Sequence, residues 1–211
     1  MKLLDYIQNH WLSLLSDVGM HILMVTIALV LALVVGIPLG MLCTRSEKLA
    51  AWILAGANTL QVFPSLAMLV LLMIVFGLGN DTVVIGLFLY SLLPIIRNTY
   101  VGLREVDPSI TEAGRGLGMS SLQLLLKVQF PLSLPFLLAG IRVAAVIAIG
   151  VATIAPMIGG DGLGREIYSG INLRNDTKIF AGAIPAALLA ILADFFLGML
   201  QKNSRSYASD K

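Results

Sequence analysis

EAGRGLGMSSLQLLLKVQFP, residues 112–131, is a polar, glycine-punctuated stretch in a chain that is otherwise mostly apolar. Just before it, Asp107-Pro108 predicts a helix start, because Asp caps free backbone N–H groups and Pro fits the first helical position. Thr111, Glu112 and Ala113 then ride on a short helix that Gly114, Gly116 and Gly118 bring to an end. Ser120-x-x-Gln123 reads as a capping box opening a second helix. In that helix Leu122, Leu125, Leu126 and Phe130 form one apolar stripe, and Pro131, which lacks a backbone donor, stops it. The expected product is a short exposed helix, a tight turn and an amphipathic return helix: a surface knob on a stalk. A plain linker would not need three alternating glycines followed by a fixed run to Pro131. Glu112 has two readings, an outward contact or an internal brace against Arg115.

Outward from this stretch, the composition is that of a membrane protein. Hydrophobic residues make up 58% of the 211 and charged residues only 12%, with a mean hydropathy of +0.92. A soluble domain clothes its surface with about 25% charged residues. A surface this poor in charge must face lipid. The net charge of +2 and the scattered basic residues speak against nucleic acid as a partner. The single Cys43 leaves no disulfide framework. The N-terminus lacks a charged region followed by an apolar run and a cleavage site, so no removable signal peptide is expected.

Residues 1–20 predict an amphipathic lead-in, with Leu4, Ile7, Trp11, Leu14, Leu15 and Val18 at helical spacing. It reads either as a helix lying at the membrane interface or as a frayed terminus. Residues 22–43 are an almost unbroken apolar run, long enough to cross a core of about 30 Å. The second run, residues 49–78, is too long for a simple span. Asn58, Thr59, Gln61, Pro64 and Ser65 interrupt it, which predicts one kinked helix or two half-helices. Such a break is tolerated in lipid only where protein or a water-lined cavity satisfies the freed backbone groups. A turn follows at 77–81 and a third span at 82–103, kinked near Pro94. The fourth span starts between 131 and 135 and runs to about 158, a polar loop covers 159–178, and the fifth span covers 179–200. The fold class is thus all-α, with five spans, a transmembrane domain at 21–202 and a tail at 203–211. No internal repeat is evident.

Five spans place the termini on opposite sides, and lysine and arginine counts choose between the two orientations. With residues 107–131 inside, Arg45, Lys48, Arg97, Arg104, Arg115, Lys127, Lys202, Arg205 and Lys211 are inside, and Lys2, Arg165, Arg174 and Lys178 are outside. Nine against four predicts the N-terminus outside and the C-terminus cytoplasmic. Within the spans, Asn58, Thr59 and Gln61 either line a solute path or hydrogen-bond between helices. Arg142 either meets a carboxylate on a solute, snorkels toward the inner headgroups, or pairs with backbone carbonyls. Asp194 reads as the structural partner of a polar group near the inner surface. His10 and His21 show no ligand spacing, so no metal site is expected. No Ser/His, paired-Asp or zinc-ligand set sits at membrane depth, which argues against an intramembrane enzyme. A gradient-driven transporter would call for inverted repeats or mid-membrane carboxylates, and only Asp194 lies well inside a span.

The spacing of Glu112-Ala113-Gly114, three residues, Gly118, nine residues and Val128-Gln129-Phe130-Pro131 resembles the pattern EAA-x3-G-x9-I-x-L-P. That is the coupling loop of the permeases of ABC importers, with Gly114 in place of the second Ala, Val128 of the Ile and Phe130 of the Leu. The segments QVFPSLA at 61–67, LYSLLPIIRNTY at 89–100 and AGIR at 139–142 are similar to the osmoprotectant branch of that family, which imports glycine betaine, carnitine and choline. GDGLG at 160–164 resembles the loop before the last span of type I importer permeases. The resemblance implies a five-helix permease core paired with a like or related permease, with a dimer of ABC ATPases beneath and a separate extracytoplasmic solute-binding protein above. It places Glu112, Ala113, Gly114, Arg115, Gly118, Leu122 and Pro131 in the coupling loop, with Leu122 to Phe130 packing that loop onto the spans. It leaves Asn58, Thr59, Gln61, Phe63, Pro64, Ser65, Tyr90 and Arg142 as candidates for the solute path. A quaternary ammonium has no N–H to donate, so aromatic faces such as Phe63, Phe88, Tyr90 and Tyr100 would attract it. The glycine-rich run at 159–164 lacks the Gly-x4-Gly-Lys-Ser/Thr phosphate loop. The chain is therefore expected to bind no cofactor, with ATP and Mg held by the partner ATPase, in the membrane of a bacterial cell. The alternative solute is an amino-acid-like molecule.

Overall fold

The computed structural model describes residues 3–209, with side chains to residue 204. Lys2 and Lys211, counted above for orientation, and the side chain of Arg205 lie outside the described residues. The helices in chain order are α1 (Leu3–Cys43), α2 (Glu47–Val62), α3 (Ser65–Phe76), α4 (Asn80–Arg104), α5 (Pro108–Gly116), α6 (Ser121–Leu124), α7 (Phe130–Ala152), α8 (Gly164–Leu173) and α9 (Asp176–Ser209). A π turn at Leu125–Gln129 joins α6 to α7, and a 3-10 turn at Ala155–Ile158 follows α7.

The bundle is built around α4. Its sequence is the least apolar of the spanning helices, yet two-thirds of its apolar window is buried. Small residues let the neighbours come close. Ala28, Ala32, Gly36 and Gly40, each four residues apart, line the buried face of α1. A Cβ on Gly40 would stand 2.6 Å from the Thr99 Cβ and 2.8 Å from the Ile96 carbonyl oxygen, so no larger residue fits there. This is the small-residue packing that drives helix association in lipid, where apolar burial alone supplies little. On the other flank, Gly140 of α7 lies against the Pro94 carbonyl and Asn98. The core follows these contacts, with Met24, Ala28, Leu69, Val83, Leu87, Ala148 and Ile158 buried toward one end and Ala32, Cys43, Ile95, Ile96 and Ala144 toward the other.

Four helical segments are long and apolar enough to cross a membrane, and the α2–α3 pair, bent by 98°, makes a fifth unit. The second apolar run is therefore two half-helices. The break falls at Pro64, between the end of α2 at Val62 and the start of α3 at Ser65.

Several boundaries differ from the sequence reading. The lead-in is the first part of α1, which bends at His10, where φ is −124° and ψ 17°, and has no interruption at residue 20. Tyr6 and Leu14 pack with Ala181 of α9, so this segment is held by the bundle. α4 runs unbroken through Pro94. Pro131 does not stop the return helix, because the π turn carries it into α7 as one helical segment over residues 121–152. A proline ring clashes with the carbonyl four residues back, and the wider turn just before Pro131, in which the Phe130 N–H bonds the Leu125 carbonyl, makes room for it. The span α7 ends at Ala152 rather than near residue 158. The polar loop at 159–178 contains α8, whose Ile167 and Ile171, four residues apart, share a helix face. The tail at 203–211 continues α9 as far as Ser209.

Candidate functional site: a surface knob and a broken span

The knob is assembled from local hydrogen bonds. The Asp107 carboxylate accepts from the Ser109 N–H at 2.8 Å and caps α5, with Pro108 in the first helical position. That bond holds the Asp107 carboxyl below the usual carboxylate range. Gly118 turns the chain at a φ of +80°, a left-handed conformation that an L side chain adopts only with strain. Ser120 and Gln123 then cap α6 reciprocally, with bonds of 3.3 and 2.9 Å. Gly114 is buried on Leu124, and a Cβ there would stand 2.7 Å from the Leu124 Cδ1.

Glu112, Ala113 and Arg115 are exposed beside that buried glycine. Among the described residues neither Glu112 nor Arg115 forms an ion pair, so the internal brace is not made. The packing stripe is corrected. Leu124 is the buried leucine of the return helix, while Leu122 is 64% exposed and Leu126 is 52% exposed. Leu122 and Leu126 each lie two positions from Leu124, about 200° around the helix, so burying Leu124 turns both outward. Leu117, at the tip, is 84% exposed. The knob thus presents apolar side chains and unpaired charges to whatever lies beyond it.

The broken span closes on itself through two prolines. Pro94 supplies no N–H to the Tyr90 carbonyl one turn back. The Gln61 side chain of α2 supplies the donor instead, at 3.4 Å. In return the Tyr90 hydroxyl donates to the Phe63 carbonyl, at the break before Pro64, at 2.5 Å. Gln61, Phe63, Pro64 and Tyr90 are therefore brought together, and Ser65 begins α3 beside them. Each bond contributes about 1 kcal/mol, and more is lost if a buried carbonyl is orphaned. Asn58 and Thr59 sit apart on an exposed face, with the Thr59 hydroxyl donating to the Ala55 carbonyl. The aromatic residues do not form one box. Phe88 packs into the core, and Tyr100 accepts from Arg104 at 2.7 Å.

Arg142 also lies outside the break. Its Nε and Nη2 donate to the two Asp194 oxygens at 2.5 and 2.6 Å, a two-pronged pair between α7 and α9. Asp194 is thus a structural partner, as its position suggested, and the carboxylate that Arg142 meets belongs to this chain.

At the opposite end from the knob is a polar network that the sequence reading missed. The Asn80 amide donates to Asp161 at 2.9 Å and accepts the Asp161 N–H at 2.7 Å. Arg165 lies 3.3 Å from Asp161 and 3.8 Å from the buried Asp17. The Tyr6 hydroxyl donates to Glu166 at 2.7 Å, Lys178 lies 3.9 Å from Glu166, and Lys178 donates to Ser169 at 2.9 Å. The helical spacing of Ile167 and Ile171 was the available signal for α8, which carries three of these groups, Arg165, Glu166 and Ser169.

The chain has counterparts. Residues 36–206 match the family described as the binding-protein-dependent transport system inner membrane component. The carnitine transport permease protein OpuCD of Listeria monocytogenes is 46% identical over 203 residues, covering 96% of this chain and 91% of that protein. The glycine betaine/carnitine/choline transport system permease protein OpuCD of Bacillus subtilis is 47% identical over 189 residues, covering 89% of this chain and 82% of that protein. Among solved structures, the MetNI methionine ABC transporter in an inward-facing conformation shares the fold. Its TM-score is 0.83 at 21% identity, with 93% of this chain and 98% of that one covered. With the type I importer fold matched over 93% of the chain and the family pattern spanning residues 36–206, the chain belongs to the family of binding-protein-dependent transport system inner membrane components, the permeases of ABC importers.

Proposed function

We propose that this chain is the permease of an ATP-driven importer of osmoprotectants of the glycine betaine, carnitine and choline class. The observation that carries the solute class is the identity of 46–47% to permeases named for carnitine and for glycine betaine, carnitine and choline. The geometry supports the mechanism. Glu112, Ala113, Arg115, Leu117 and Leu122 form an exposed knob on a capped, sharply turned base, suited to bearing on an ATPase subunit. Gly114, Gly118 and Pro131 shape that base and its stalk. ATP and Mg are held by the ATPase dimer, an extracytoplasmic binding protein delivers solute, and a second permease, identical or related, completes the path. The coupling loop and C-terminus are cytoplasmic and the N-terminus is outside.

The solute path runs past the break of the second span. Backbone interrupted inside a membrane needs protein or water around it, and Phe63 and Pro64 are exposed on this chain alone. Gln61 and Tyr90 hold the break in shape, Ser65 begins α3 beside it, and Asn58 and Thr59 lie on the exposed face of α2. Closure of the ATPases draws the paired knobs together and rocks the spans between inward- and outward-open states, a hinge-type change.

The test is uptake of labelled glycine betaine, carnitine and choline into vesicles carrying the permease with its ATPase, companion permease and binding protein. The expected result is uptake that requires both ATP and the binding protein. ATPase stimulation by an amino-acid-like solute, with no response to any quaternary ammonium, would keep the permease and discard the solute class. Uptake without the ATPase would overturn the mechanism.

A further inference from the structure

We propose that the groove between α7 and α9, on the knob-bearing half of the bundle, binds the phosphodiester headgroup of an anionic phospholipid. The Arg142–Asp194 pair uses two of the three guanidinium nitrogens. The third, Nη1, lies over the bare backbone of Gly198, 3.2 Å from where a Cβ on that glycine would sit. Lys202 follows one helical turn later, exposed and without an ion pair among the described residues. Arg142, Gly198, Gln201 and Lys202 line an open cleft of about 540 Å³. Two cations and one carboxylate leave this end of the groove with a net positive charge, matched to a phosphodiester monoanion.

Shape and depth favour a lipid over a soluble anion. Through Arg142 and Gln201 the basic cleft continues into a second, of about 500 Å³, whose other walls include Ala139, Val143, Val146 and Ile147. A polar pocket opening onto an apolar trough has the outline of a headgroup and the start of an acyl chain. Gly102, near the end of α4 that leads to the knob, packs on Phe136, and Arg142 lies six residues further along α7, roughly 9 Å deeper. Lys202 is eight residues beyond Asp194, roughly 12 Å back toward the knob-bearing end. The ammonium therefore sits at headgroup depth while the guanidinium reaches toward it from below. Basic pockets between spanning helices on the cytoplasmic side bind anionic headgroups in this way. The inference does not depend on which solute the permease carries.

Native mass spectrometry of the purified importer complex, titrated with phosphatidylglycerol or phosphatidylcholine, reads the site. The expected result is retention of phosphatidylglycerol over phosphatidylcholine, reduced about five-fold by Lys202→Gln. The double variant Arg142→Gln/Asp194→Asn, which leaves neither charge unpaired, should fall to the phosphatidylcholine level. Lys202 is exposed, so its variant reports even if the double variant fails to fold. Equal retention by the native protein and Lys202→Gln overturns the proposal. So does cross-linking between permeases through Lys202→Cys, which assigns the groove to the partner, and so does displacement of the lipid by glycine betaine, which assigns it to the solute.

Discussion

The two ends of this permease are held together in opposite ways. At the knob, the hydrogen bonds of Asp107, Thr111, Ser120 and Gln123 join residues two or three positions apart. At the other end, Tyr6 reaches Glu166 across 160 residues and Asn80 reaches Asp161 across 81. The knob is a locally folded unit with an unpartnered surface, able to move as a body. The far end is a clasp that ties the starts of α1, α4 and α9 to α8 and the loop before it. A substitution at the knob should therefore alter transmission and spare stability, and one in the clasp should do the reverse.

The sharpest break of that contrast is Gly118→Val. Forcing a branched side chain into the left-handed region costs ~1–2 kcal/mol, and no neighbour lies within 4 Å to be displaced. Solute-stimulated ATPase activity should fall about ten-fold, with membrane insertion kept and the cost falling on local opening of the knob, so that the global unfolding midpoint moves little. Normal transport by this variant would remove the knob from the coupling path. Next comes Asn80→Ala, which loses both bonds to Asp161. It should cost about 2 kcal/mol, a fall of roughly 4–8 °C in thermal midpoint in detergent, while the ratio of solute moved to ATP hydrolysed holds. Tyr6→Phe removes one bond to Glu166 and should cost about 1 kcal/mol. A double-mutant cycle with Glu166→Gln checks that the loss belongs to this pair. Ser120→Ala should cost α6 about 1 kcal/mol, visible as faster amide exchange at Gln123 with little change in the midpoint. The smallest effect concerns pH. The Asp107 carboxyl is depressed in the folded chain, so its cap is complete above the unfolded value of about 3.9 and is lost only as pH falls through the lower folded value. Amide exchange at Ser109, corrected for its intrinsic pH dependence, should not change between pH 8 and pH 5.

The same contrast explains what could be read in advance. Asp107-Pro108 and Ser120-x-x-Gln123 are legible because cap and capped amide lie within one turn of each other. The Pro64 break is legible because the apolar run at 49–78 is too long for one span and Asn58, Thr59, Gln61 and Ser65 gather around its proline, whereas Pro94 and Pro131 stand within continuous helix. The link between Gln61 and Tyr90 is not, since it depends on Pro94, in another helix, freeing a carbonyl that happens to face α2. Arg142 shows the same limit. Its side chain called for a partner, and Asp194 was recognised as structural, but nothing within either helix says that they meet. The π turn escaped because its signature is a helix that continues through a proline. Leu122 and Leu126 were assigned to a face they do not occupy for another reason: Leu124 sets that face by packing on Gly114 of α5, a contact between helices.

That turn has a mechanical corollary. Residues 121–152 form one continuous strut from the base of the knob across the bundle, about 48 Å long at 1.5 Å per residue. A strut of that length works as a lever arm, and a tilt of about 5° carries its far tip through roughly 4 Å. Had Pro131 ended the return helix, a loose joint there would have absorbed such a tilt.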